Sequence, residues 1–180
     1  MIPTFIIEWS GPYEDPNQTN QANILYLITG SRIAGKESIK LRYIGKTSKN
    51  CKGRFTSTHK FYTHIREKNR LFWIGKIKWS NSAKKDASAI SKAEKILVHY
   101  LKKYASKSEI DLMNVKSISE PKNACGVINC WFDKKGNKRA RRLHPLINVP
   151  DVILWDDARN LLVSIKKCEV KKCFSQMTKK

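Results

Sequence analysis

The sequence predicts an α/β chain of the α+β kind, a compact strand-rich domain followed by a short β-hairpin-rich C-terminal extension. Three observations predict it. Two apolar runs of strand length, NILYLIT (23–29) and IKLRYIG (39–45), flank a glycine-containing polar loop. A third run, LFWIGKIKW (71–79), carries aromatic anchors. One long amphipathic stretch, 87–105, has the helical spacing of apolar residues.

In chain order, residues 5–9 (FIIEW) predict a short strand, and SGPYEDPNQTN (10–20) predicts a turn-rich connector. The runs 23–29 and 39–45 predict an antiparallel hairpin. Ile39, Leu41 and Tyr43 share one face by alternation, and Lys40 and Arg42 the other. Residues 54–67 fit one helix, with Phe55, Thr58, His59, Tyr62 and Ile65 on a stripe. The 87–105 helix has its stripe on Ile90, Ala93, Leu97, Leu101 and Tyr104, with Asp86 or Ser88 as cap. Beyond Asn114, residues 124–132 and the turn DKKGNK suggest a hairpin. A basic segment follows, and DVILW and LLVSI make a second hairpin around DDARN. The last residues, KKCEVKKCFSQMTKK, are basic and expected to fray.

Charge dominates the composition. Among 180 residues, Lys plus Arg number 36 and Asp plus Glu 15, a net of +21, while 41% of residues are hydrophobic. A chain this basic that still buries a core calls for a polyanionic partner, nucleic acid before an anionic membrane. No apolar run approaches the ~20 residues that span a bilayer. The N-terminal MIPTFIIEWSGPYED has neither a basic n-region nor a small-residue cleavage site, so a cytoplasmic chain with reduced thiols is expected.

The residues that could carry chemistry each have a plain alternative. Tyr26 and Tyr43, on neighbouring strands, are half-buried core aromatics unless cations stand nearby. A phenol titrates near pH ~10, and Lys46, Arg54 and a metal would pull that value toward neutrality. Arg54 offers a planar fork for two phosphate oxygens, or is a surface charge. His59 lies five residues on, about 140° around a regular helix, so it meets Arg54 only if Arg54 precedes the first turn. Glu94 lies on the apolar stripe, on the inward face of the helix, where a carboxylate is costly unless paired, metal-bound or at a boundary open to water. Lys49 and Lys52 extend the basic loop. Arg139, Arg141 and Arg142, with Lys134, Lys135 and Lys138, form a second cluster suited to phosphates or to a solvated turn. Cys125 and Cys130, then Cys168 and Cys173, have C-x4-C spacing. They hold a structural zinc or remain free thiols, and residues five apart on a strand face opposite ways.

The order of these residues resembles the GIY-YIG nuclease family. Ile24-Leu25-Tyr26 corresponds to the first motif and Tyr43-Ile44-Gly45 to the second. Arg54, His59, Glu94 and Asn114 (in DLMN) then follow in family order over residues 22–116. Ile24 stands where the family has glycine, and His59 follows Arg54 by five residues rather than four. The resemblance implies a small three-stranded antiparallel sheet flanked by helices, with 1–21 as an N-terminal strand and linker and 117–180 as a basic extension. It also implies hydrolysis of a DNA phosphodiester, RNA remaining open. Glu94 would hold one Mg²⁺ (or Mn²⁺), Tyr26 would activate water with Tyr43 and Lys46, and Arg54 would hold phosphoryl oxygens. His59 would orient a tyrosine or relay its proton, and Asn114 would tie the domain end to the site. Lys49, Lys52, Arg139, Arg141 and Arg142 would contact nucleic acid. Monomer and homodimer both stay open, as do roles in restriction, mobile-element spread and repair. The rival reading is a non-catalytic nucleic-acid binder on the same fold.

Overall fold

The computed structural model describes residues 3–34, 38–80, 87–105, 110–114, 116, 119–138, 149–158 and 161–165. Among the described residues seven strands form one sheet: β1 (Thr4–Tyr13), β2 (Ile24–Gly30), β3 (Lys40–Thr47), β4 (Leu71–Ser80), β5 (Cys125–Phe132), β6 (Val152–Asp156) and β7 (Leu161–Ile165). Among the described residues three α-helices accompany them: α1 (Cys51–Arg54), α2 (Lys60–His64) and α3 (Ala87–Lys103). The fold is thus α+β, but the sheet is not a small three-stranded one. The expected trio exists as the antiparallel run β3-β2-β4, and the order continues through β1-β5-β6-β7. Strand β1 is antiparallel to β4 and parallel to β5, so the N-terminal strand is central. The hairpin expected from DVILW and LLVSI is β6–β7, and β5 takes β6 as its antiparallel partner.

Two local expectations are corrected. Ser10–Tyr13, expected in a connector, continue β1. The Gly11-Pro12 step sits at a register shift against β4, and an irregularity of that kind is where a sheet accepts proline. Leu41 and Tyr43 do not share a face. Ile28 pairs with Tyr43 but Thr29 with Leu41, so Arg42 is an extra residue in β3. This bulge turns Leu41 toward α3 and Tyr43 toward the opposite face. Arg42 is only 2% exposed. Its Nε donates to the Gly30 carbonyl (2.9 Å) and its guanidinium pairs with Asp111 (2.5 Å).

Two cores result. On one face, Ala93, Ile96, Leu97 and Leu101 of α3 cover Phe5, Ile7, Trp9, Leu25, Leu27 and Trp73. Each of the larger side chains, Ile96, Leu97 and Leu101, stabilises the fold by about 1.5–3 kcal/mol relative to exposure. Tyr104, expected on the stripe, is 49% exposed just past the helix end, and Ser88 lies inside α3 rather than capping it. Asp86 lies outside the described residues. On the other face, Ile24, Tyr26, Ile28, Phe72 and Ile74 meet Cys51, Phe55, Phe61 and Ile65 around α1 and α2. Strand β2, apolar or aromatic throughout its first five residues, is buried on both faces between these layers. Among the described residues no helix is long and apolar enough to cross a membrane.

Candidate active site

Tyr26 is the centre of the arrangement. It is fully buried on β2, directly opposite Gly45 of β3. Its ring lies across the Gly45 backbone: a Cβ built on Gly45 would come within 2.4 Å of the Tyr26 hydroxyl oxygen. Only glycine leaves that space. Tyr43, turned onto this face by the Arg42 bulge, stacks beside Tyr26 at 6.0 Å between ring centroids. Phe55 closes the other side edge-on at 4.8 Å.

The single helix expected over 54–67 is two short helices. Asn50 caps α1 by accepting from the Gly53 amide (2.8 Å), and the chain leaves the helix at Phe55. The polar run Thr56-Ser57-Thr58 bridges to His59, whose Nδ1 accepts from the Phe61 amide (3.4 Å) and caps α2. Arg54 thus ends one helix and His59 begins the next, which brings together two side chains that a continuous helix would splay. Arg54 Nε donates to the Tyr26 hydroxyl oxygen at 3.1 Å, and His59 Nε2 stands 3.2 Å from the same oxygen. With Nδ1 accepting from the backbone, the proton of a neutral His59 sits on Nε2, so Tyr26 receives two N–H donors.

The electrostatics differ from the expected phenolate. Burial, followed by the neighbouring Tyr43, pushes the Tyr26 phenol well above its ordinary range, and Arg54 only partly offsets this. Tyr43 is also raised, chiefly by burial, with Arg54 opposing. Burial, and then the charges of Arg54 and Lys60, lower His59 to about 4, so the imidazole is neutral at pH 7.

Glu94 approaches from the α3 side, around edge strand β3. Its carboxylate is 13% exposed and 3.7 Å from the Lys46 ammonium. Lys46 also donates to the Ser91 hydroxyl, one helical turn before Glu94. The Glu94 charge acts on both tyrosines, raising each, so it belongs to their surroundings despite arriving from the other face. Lys46, Arg54 and Ser91 line, with Asn23 and Lys49 among others, an open groove of about 380 Å³.

Asn114 clamps the edge of the second motif. Its Oδ1 accepts from the Ile44 amide (3.0 Å) and its Nδ2 donates to the Ile44 carbonyl (2.7 Å). The structure therefore gathers Tyr26, Tyr43, Arg54 and His59 at one point. Lys46 and Glu94 lie around the strand edge, and Asn114 holds Ile44 in place. Lys49 lines the groove, and Lys52 is exposed on α1. Arg139, Arg141 and Arg142 lie outside the described residues, as do Cys168 and Cys173. Cys125 is buried, with its thiol pushed up to about 11 by that burial, and Cys130 is partly buried.

Sequence reasoning missed Ser91, Phe55 and Asn50. Ser91 had a signal, standing three residues before Glu94 on a helix. Asn50 had one too, a capping residue three before Gly53. Among the described residues no three His, Cys, Asp or Glu side chains cluster as metal ligands. A divalent ion here would take the single Glu94 carboxylate, with water and phosphate oxygens completing a hard oxygen shell of the kind Mg²⁺ accepts. Compared with protein-family models, curated proteins and solved structures, the chain matches none.

Proposed function

We propose that this chain is a divalent-metal-dependent endonuclease of the GIY-YIG kind that hydrolyses DNA phosphodiester bonds. One observation carries the reading. Two N–H donors, from Arg54 and His59, converge on the Tyr26 hydroxyl over the gap left by Gly45, at the rim of a cationic groove. Packing alone does not call for that arrangement, because aromatic cores close without a guanidinium aimed at a phenol.

A metal held by Glu94 would supply Lewis acidity at the scissile phosphate and at the departing oxyanion. The chain's own residues supply the rest. Arg54 has terminal guanidinium N–H groups beyond the Nε bound to Tyr26, and these hold phosphoryl oxygens as negative charge grows. In its ionised form, Tyr26 takes a proton from the attacking water. The water oxygen bonds to phosphorus, the ester P–O bond breaks, and the leaving oxygen is reprotonated from solvent. His59, neutral and donating from Nε2, stabilises the ionised Tyr26. Lys46 pairs with the Glu94 carboxylate and adds positive potential to the groove.

The experiment is nicking of supercoiled plasmid with Mg²⁺, by wild type and by Glu94→Ala. The reading expects metal-dependent nicking that Glu94→Ala loses by at least about a hundredfold. Equal nicking by both, or none by wild type on any DNA or RNA offered, sinks it. A second reading, a nucleic-acid binder without chemistry, draws on the complete burial of Tyr26 and on the Lys46–Glu94 ion pair. It expects salt-dependent binding without cleavage.

A further inference from the structure

A second cavity, about 640 Å³, lies next to the groove and shares Ser91 with it. Its rim carries Lys92 and Lys95 of α3 and Lys122 from the loop ahead of β5. Its remaining wall is largely apolar, including Pro3, Pro121 and Ala124. Lys46, Lys49 and Arg54 on one side of Ser91 continue into Lys92, Lys95 and Lys122 on the other. Among the described residues no acid lines either hollow, and Glu94, 3.7 Å from the Lys46 ammonium, is the acid beside the groove. Asp157 is near enough to act on the Cys125 thiol but is not part of the lining.

We propose that this cavity receives the unpaired nucleotides of a strand whose neighbouring phosphate occupies the groove. The site thereby favours substrates with a single-stranded segment beside the cleavage point. The inference deepens the nuclease reading and rests on it for the position of the scissile phosphate. Charge complementarity names the occupant as a polyanion. The apolar wall narrows it further. In a duplex the base faces are stacked on one another and unavailable, whereas an unstacked base turns an apolar face outward. The volume lies in the range of about 300–1,000 Å³ typical of pockets that enclose a small organic group. Duplex phosphates would meet the rim lysines but leave the apolar wall uncovered.

The test is binding in EDTA, which removes cleavage from the readout. The probes are a fluorescein-labelled thymidylate oligonucleotide of about 20 residues and a hairpin duplex of similar length. The proteins are wild type, the triple variant Lys92→Gln/Lys95→Gln/Lys122→Gln, and the cavity-filling variant Ala124→Phe, each checked by circular dichroism. The triple variant should lose at least tenfold in thymidylate affinity, and its salt slope should fall by roughly 2, at about 0.7 per lost phosphate contact. Ala124→Phe should lose several-fold at an unchanged slope and bind duplex within twofold of wild type, and the triple variant should lose less on duplex than on thymidylate. Thymidylate binding within twofold of wild type in either variant, or an equal loss on duplex, would overturn the proposal. Because the readout is binding, a protein that never cuts DNA but gives the expected losses would refute only the nuclease reading. A protein that cuts but binds thymidylate normally in both variants would refute only this one.

Discussion

The ring of Tyr26 occupies the space where a side chain on Gly45 would stand. A methyl group there would lie 2.4 Å from the Tyr26 hydroxyl oxygen and 2.3 Å from the carbon bearing it. This explains chemically why a glycine closes the motif Tyr43-Ile44-Gly45: it sets how close one strand's tyrosine comes to the other's backbone. Gly45→Ala should displace Tyr26 from Arg54 and His59. The expected overpacking cost is about 1–3 kcal/mol, measured by urea unfolding. Nicking should fall further than that loss of folded protein explains. An alanine variant with wild-type stability and activity would contradict the close packing.

His59 gives the fold a pH dependence of known sign. Its value of about 4 lies below its ordinary 6.5, so between those limits the unfolded chain binds the proton more tightly than the folded one. The stability linked to His59 is complete above about pH 6.5 and is lost as pH falls toward 4. His59→Asn keeps a capping acceptor for the Phe61 amide and removes the titration. Wild type should therefore show a larger drop in Tm between pH 7 and pH 4.5 than His59→Asn, by calorimetry. Parallel curves would show that His59 is not held neutral by its surroundings.

Asn114 acts as a two-bond splint for β3. Asn114→Ala leaves the Ile44 amide and carbonyl without their partners, at a cost of about 1–3 kcal/mol. The Ile44 amide should exchange with deuterium faster by a factor of ten or more, while amides in the centre of α3 change only with global stability. Unchanged exchange at Ile44 would show that the splint is dispensable.

Much of this was legible in the sequence, and the exceptions have physical causes. The β2–β3 hairpin and α3 could be read because their apolar periodicity is local. The pairing of β1 with β5 could not, since Trp9 and Asn129, linked by a 2.8 Å hydrogen bond, lie 120 residues apart and nothing in either strand marks the other. The bulge at Arg42 is one extra residue in an otherwise regular alternation, and it moved Tyr43 to the face of Tyr26. Over residues 54–67, Phe55, Thr58, His59 and Tyr62 happen to fall at helical spacing. The Asn50 cap and the Thr-Ser-Thr run outweighed that pattern, and the resulting break lets Arg54 and His59 meet. Tyr26, Tyr43, Arg54 and His59 are therefore brought together by local geometry that the apolar pattern did not reveal.

The most direct test removes one oxygen atom. Tyr26→Phe keeps the ring over Gly45 and deletes only the hydroxyl on which Arg54 and His59 converge. The measurement is single-turnover DNA cleavage with Mg²⁺ from pH 6 to pH 9, with protein in excess. Because burial raises the Tyr26 phenol well above neutrality, its ionised fraction grows about tenfold per pH unit, and the wild-type rate should rise with that slope. Tyr26→Phe should cleave at least about a hundredfold more slowly, with no such rise and with DNA affinity within twofold of wild type. Cleavage by Tyr26→Phe at the wild-type rate and with the wild-type pH profile would contradict the assignment of Tyr26 as the reactive centre.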